Sequence, residues 1–364
     1  MGSQRRPGRS RQTALSLVFG AFASFAVNSP AYAATPTETA KPISYETALE
    51  AYESGDFATA LIHGKVAGSG GNADAQVMVG HIMMHGDSGL VDKSDAAKWF
   101  LKAAKQGHTD GMVALGELGL ASEGGLTQSD ARNWLEQAAK KGRTDAMRAL
   151  ADIYFTGKGT APDAVKGENW LVKATNYGDA FAERRLGDLY FEKDPKTALE
   201  WYEKAAAHGD DKAAYIAAIM YVENFDIQPN SKRAAELLAQ AADAGIAAAE
   251  ADYGLIVYQG NGVQKSAEEA AEWFRRAAEG GDSEGRFLYA YTLAKGDGVE
   301  QNFEDAYYWL LMADTDTGAS GVAEYDKDRE ELKKRLEGNV DPAILERARK
   351  RLTTTRLTSF NTGK

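Results

Sequence analysis

The stretch "GHIMMHGDSG", residues 80–89, sets His81 and His85 four residues apart. On a helix that spacing stacks two imidazoles on one face, as zinc hydrolases do to hold their metal. His63 and His108 lie nearby in sequence, but the glutamate that such hydrolases carry between or beside the pair is absent. The chain has no cysteine, which removes thiolate nucleophiles, thiolate ligands and disulfides together. "GKGT" at 157–160 has the ending of a phosphate loop without its earlier glycine or a preceding strand. Serines, histidines and carboxylates form no local constellation. These residue types therefore predict no catalytic centre, no metal and no cofactor, and the histidines take their meaning from the elements that carry them.

Those elements repeat. The six tryptophans form one series, Trp99, Trp134, Trp170, Trp201, Trp273 and Trp309, with Leu237 filling its single gap. The steps are 35, 36, 31, 36, 36 and 36 residues, the length of a helix–turn–helix unit. Three residues before each member stands alanine or glycine, and four after it alanine, as in Ala96 and Ala103. Small residues at a fixed helical position let a neighbouring helix approach, and the tryptophan is expected to fill the space beside that contact. Seven residues before each member stand Asp92, Thr127, Asp163, Asp194, Asn230, Ser266 and Asn302, all good helix N-caps. Eight after come Gly107, Gly142, Gly178, Gly209, Gly245 and Gly281, read as left-handed helix stops. Each unit thus predicts a second helix of about 15 residues. A first helix precedes it, marked by Gly80, Gly116, Ala151, Gly187, Ala218, Gly254 and Ala290. A lone unit cannot bury its apolar face, whereas stacked units share one core.

The motifs "LG-x-x-Y-x-x-G-x-G-V" and "A-x-x-W-x-x-x-A-A-x-x-G", well matched by "YGLIVYQGNGVQKSAEEAAEWFRRAAEGG", resemble the Sel-one-like repeats, relatives of tetratricopeptide repeats. The resemblance covers residues 73–318 and implies an all-α, right-handed α-solenoid of stacked helix-turn-helix repeats. It also implies a non-enzymatic adaptor acting in envelope signalling or exopolysaccharide control, with a sensor-kinase ectodomain or an envelope enzyme as protein partner. An assembly factor for cell-wall or polysaccharide machinery is the alternative. Residues 43–72 read as an N-terminal tetratricopeptide-like cap with a turn at Gly55-Asp56, residues 319–352 as C-terminal capping helices, and 353–364 as a disordered tail.

The N-terminus has a different composition. "MGSQRRPGRSRQ" carries four arginines and no acid; an apolar run of about 15 residues follows, then Ala31 and Ala33 in an A-x-A pattern. This predicts a signal peptide over 1–33, a flexible linker over 34–42 and a periplasmic protein not anchored in the membrane after cleavage. Loss of those arginines takes the formal charge from −11 to −15. So acidic a chain is ill suited to nucleic acid.

In such a stack the first helices are expected to line the concave surface. The i,i+4 pairs along it are Val77/His81, Val113/Glu117, Arg148/Asp152, Arg184/Asp188, Tyr215/Ile219, Ala251/Leu255 and Phe287/Tyr291. The central pairs read as Arg–Asp patches and the last three as apolar. Tyr215, Ile219, Leu255, Phe287, Tyr291, Arg148 and Arg184 are the expected partner-binding residues. In this register His81 and His85 occupy variable positions that each unit fills differently.

Overall fold

The computed structural model describes residues 44–362, apart from 88, 90, 224, 226 and 316–322. The expected signal peptide and linker lie outside the described residues. The described chain is helical throughout: eighteen α-helices and no strand. A first pair, α1 (Tyr45–Glu53) and α2 (Phe57–Ser69), turns at Gly55 and starts its second helix on the Asp56 cap. Seven further pairs follow. They are α3 (Ala73–His85) with α4 (Lys93–Lys105), α5 (Thr109–Leu120) with α6 (Gln128–Lys140), α7 (Thr144–Thr156) with α8 (Ala164–Thr175), and α9 (Ala180–Tyr190) with α10 (Pro195–Ala207). Then come α11 (Asp211–Val222) with α12 (Ser231–Asp243), α13 (Ala247–Gln259) with α14 (Ala267–Glu279), and α15 (Ser283–Lys295) with α16 (Phe303–Thr315). Two more helices, α17 (Ala323–Asn339) and α18 (Pro342–Thr362), close the array. Each helix of the array packs on the one before and the one after, which makes the fold an α-solenoid.

The helix ends follow the sequence columns. Asp92, Thr127, Asp163, Asp194, Asn230 and Ser266 each accept a hydrogen bond from the backbone N–H three residues on, and Asn302 does the same for Asp305. Such caps are worth about 0.5–2 kcal/mol apiece. The stop glycines from Gly107 to Gly281 all have positive φ. The second helices run 12 or 13 residues, slightly shorter than expected. The loop glycines have a further task. A Cβ on Gly298 would lie 2.1 Å from the Ala267 carbonyl oxygen, and one on Gly262 2.4 Å from that of Ser231. Each loop therefore sits on the start of the preceding unit's second helix, at a distance only glycine permits. "GKGT" is one of these loops.

The core corrects the role expected of the tryptophans. They are half-buried, and the fully buried column is the residue after them: Phe100, Leu135, Leu171, Tyr202, Leu238, Phe274 and Leu310, none more than 2% exposed. That side chain presses on the small position of its partner helix. A methyl at Gly80 would meet the Phe100 ring at 2.5 Å, at Gly187 the Tyr202 ring at 2.6 Å, and at Gly254 the Phe274 ring at 2.8 Å. Glycine faces the three aromatics, while Ala151, Ala218 and Ala290 belong to units whose filler is leucine. Volume is conserved across the pair, as close packing demands. Only Gly116 with Leu135 departs from the rule. Four of the six tryptophans instead carry a cation on one ring face, three residues on: Lys102 at 3.8 Å from Trp99, Lys173 at 3.8 Å from Trp170, Lys204 at 4.0 Å from Trp201 and Arg276 at 4.2 Å from Trp273.

At the far end, α17 packs on α15 and α16, burying Leu336, and α18 packs on α16. Helix α18 continues to Thr362, against the expectation of a disordered tail from 353. The hydroxyls of Thr353, Thr354 and Thr355 donate to carbonyls four residues back, which keeps these threonines compatible with the helix.

Candidate interaction face

The histidine pair resolves first. The His81 and His85 rings stack nearly parallel with centroids 6.0 Å apart, and His81 also meets the Phe100 ring edge-on. Burial, then the neighbouring His85, lowers the His81 pKa below the ordinary histidine value. His108 turns away to Asp74, and His208 bonds Glu183. Among the described residues no three His, Asp or Glu side chains are placed to hold a metal ion.

The first-helix face has two characters. Its centre is tied to itself. Arg184 bonds Asp210 at 2.7 Å and Arg148 approaches Asp179 at 3.5 Å. These aspartates cap α11 and α9, so each arginine locks its helix to the start of the next first helix. Between the two guanidiniums lies Phe181, with a ring centroid 4.9 Å from each. The expected pairing within each patch is not what forms. Asp152 accepts from Arg185 of the following unit, and Asp188 from the Tyr202 hydroxyl. The i,i+4 spacing could form the in-helix pairs, but the caps of the neighbouring unit offer the arginines better placed acceptors.

Beyond Arg184 the ladder stops. Tyr215 donates its hydroxyl to Asp252 Oδ2 at 2.9 Å, which links α11 to α13. Next to that bond lies a hollow of about 200 Å³, lined by aliphatic Ile219, Val222, Leu238, Leu255 and Ile256 and by polar groups that include Asp252, Ser231, Gln259 and Asn261. Burial, followed by the nearby charge of Glu284 and smaller contributions from Asp282 and Glu223, pushes the Asp252 carboxyl up to about 7, against the lowering effect of the Tyr215 hydroxyl bond. Burial raises Asp282 as well. Tyr215, Ile219 and Leu255 are all partly exposed.

Tyr291 is 40% exposed and borders two hollows of about 370 and 420 Å³, with Leu332 and Arg335 of α17 on their other side. Phe287 is 6% exposed and belongs to the last core cluster, reaching the first of these hollows. Of the seven expected residues, then, Arg148 and Arg184 serve the ladder, Phe287 serves mainly the core, Tyr215 holds Asp252, and Ile219, Leu255 and Tyr291 border open hollows. Two participants were not singled out from the sequence. Asp252 is the lone carboxylate in a column otherwise holding Met78, Ala114, Ala149, Arg185, Ile216 and Leu288, and that contrast is a legible signal. Phe181 carries none, because one of its two partners, Arg148, comes from the preceding unit.

Capped helix pairs at a period near 36, stacked on shared glycine and alanine contacts, define a helical-repeat scaffold. The Sel1 repeat profile matches residues 73–108, 109–142, 144–179, 180–210, 211–246, 247–282 and 283–313, and the chain belongs to the Sel1 repeat family. Repeats of this family, like the related tetratricopeptide repeats, generally serve as protein-interaction scaffolds. A Sel1 repeat protein from Oxalobacter formigenes has a similar crystal structure, 24% identical over 80% of this chain and 87% of that one, with a TM-score of 0.59. A protective antigen present in uropathogenic Escherichia coli strains, displaying an SLR fold, is 24% identical over 85% of this chain and 82% of that one, with a TM-score of 0.38. No curated protein matches the chain.

Proposed function

We propose that the protein is a non-catalytic periplasmic adaptor that binds a protein partner on the C-terminal half of its first-helix face. The observation that carries this reading is the run of partly exposed apolar side chains at Tyr215, Ile219, Leu255 and Tyr291, the last three bordering hollows where the central ladder has ended. Apolar patches with an aromatic anchor are the usual mark of a partner site. The basic head, short apolar run and A-x-A motif of the N-terminus support export to the periplasm. Envelope signalling or exopolysaccharide control, with a sensor-kinase ectodomain or an envelope enzyme as partner, is the setting this reading favours.

Site-specific photo-crosslinking in living cells tests it. A crosslinker at position 219 or 255 is expected to trap a discrete periplasmic protein, and one at position 165, which is 70% exposed on α8, is not. The mature N-terminus is expected at Ala34. Trapping from position 165 alone, or a cytoplasmic pool that retains residues 1–33, overturns the reading.

A further inference from the structure

The hollow between α11 and α13 is narrower in purpose than the face around it. Its lining joins the aliphatic side chains of Ile219, Val222, Leu238, Leu255 and Ile256 to the polar groups of Tyr221, Ser231, Gln259 and Asn261. A volume of about 200 Å³ is below that of ordinary small-molecule sites, which start at roughly 300 Å³. It suits one side chain of a larger partner. The single carboxyl group among its lining residues is that of Asp252, and no lysine or arginine is among them. Tyr215 fixes Oδ2 of that carboxylate, while Oδ1 has no hydrogen-bond partner among the described residues. The charges of Glu284, Asp282 and Glu223 add to the effect of burial in raising the Asp252 carboxyl. A largely aliphatic hollow with an oriented carboxyl group among its lining residues, and no basic side chain, complements one kind of side chain. Lysine and arginine carry an apolar stem with a cation at its tip.

We propose that this hollow is a subsite for a lysine or arginine side chain of the bound partner, its stem lying against Ile219 and Leu255 and its cation meeting Asp252. The assignment rests on the adaptor reading and adds the chemistry of the partner, a basic and aliphatic protein segment. The stem would cover apolar surface that water now wets, and the cation would take up the unmatched carboxylate oxygen. The arginines of the central ladder already form the same kind of contact with Asp179 and Asp210.

Two fluorescein-labelled twelve-residue peptides, one a fourfold Leu-Lys-Ala repeat and the other a fourfold Leu-Gln-Ala repeat, are titrated by anisotropy against the full-length mature chain. Wild type is expected to prefer the lysine peptide at least tenfold. Asp252→Asn keeps an acceptor for Tyr215 and is expected to abolish the preference, whereas Glu268→Gln, an exposed acid on α14 outside the hollow, keeps it. Equal loss from both substitutions would show that net acidity alone selects the peptide, and would overturn the subsite. So would an undiminished preference in Asp252→Asn, equal binding of both peptides to wild type, or binding of neither. Equal binding that Leu255→Asp abolishes sinks the subsite and leaves the adaptor reading standing. Crosslinking confined to position 165 sinks the adaptor reading itself.

Discussion

The centre of the first-helix face and its C-terminal half use one scaffold to opposite ends. Around Arg148, Phe181 and Arg184, polar groups meet partners in the next unit, and the aromatic ring lies between two guanidiniums. Around Ile219, Asp252 and Leu255 the corresponding positions hold aliphatic side chains and one carboxylate, and a hollow remains. The helix caps, glycine stops and small columns are common to both regions. The comparison teaches that in a repeat array the invariant positions build the stack, and the few positions released from that task can differ from unit to unit. A face whose charges pair internally stiffens the array, whereas one whose side chains remain unmatched can receive a partner.

The largest effects test the common scaffold. Phe100→Ala in the first unit of the array and Phe274→Ala in the sixth are each expected to cost about 3–5 kcal/mol in chemical denaturation, because both rings are fully buried against a glycine. Trp170→Ala, half-buried and covered by Lys173, is expected to cost less, about 1–3 kcal/mol. A tryptophan substitution costing more than its buried neighbour would reverse the assignment of the core column.

The next effect separates the two regions directly. Tyr291→Ala is expected to weaken partner binding by about 2 kcal/mol, roughly 30-fold, with helicity unchanged. Arg184→Ala acts on the ladder, so it is expected to lower stability by about 1 kcal/mol and to change affinity by less than that. Calorimetric titration of both variants, with circular dichroism as control, reads the contrast. Similar affinity losses in the two would erase the distinction between the regions.

A pH-dependent effect follows from Asp252. The fold holds its carboxyl near 7, while in the unfolded chain it titrates near 4. Across that window the folded state binds the extra proton, so stability is lost as pH rises through it. Asp252→Asn removes this contribution. Between pH 5 and pH 8 wild type is expected to lose about 2–3 kcal/mol relative to the variant, read from urea midpoints at each pH. A constant difference across that range would mean that Asp252 is ionised in the fold throughout. The smallest effect is expected from His81→Ala with His85→Ala. Thermal stability should stay within about 1 kcal/mol of wild type, and chelator-treated protein should bind no stoichiometric zinc. Tight binding near one equivalent, lost in the double variant, would restore the metal reading.

Much of this fold was legible because its rules recur. The cap column from Asp92 to Asn302 and the stop column from Gly107 to Gly281 are each visible several times over, and repetition separates them from chance. The role of the tryptophans was misjudged because a helix face is about 100° wide, and spacing alone does not say which of two adjacent bulky residues points inward. The size match between Gly80 and Phe100 or Gly254 and Phe274 was the clue that decides it. At the candidate site the half-exposed positions Tyr215, Ile219, Leu255 and Tyr291 could be read from the register. The central salt ladder could not, because it depends on how far one unit advances past the next, a quantity no single unit encodes.

On the proposed function, the hollow between α11 and α13, rather than the outer helices, receives the partner. The most direct test is the affinity of the crosslinked partner, once purified, for Leu255→Asp and for Val165→Asp. Leu255→Asp places a second charge in the hollow, and Val165→Asp places one on an exposed position of α8. Isothermal titration is expected to show at least a hundredfold loss for the first and wild-type affinity for the second, with both variants fully helical. Unchanged affinity in Leu255→Asp together with loss in Val165→Asp would contradict the account.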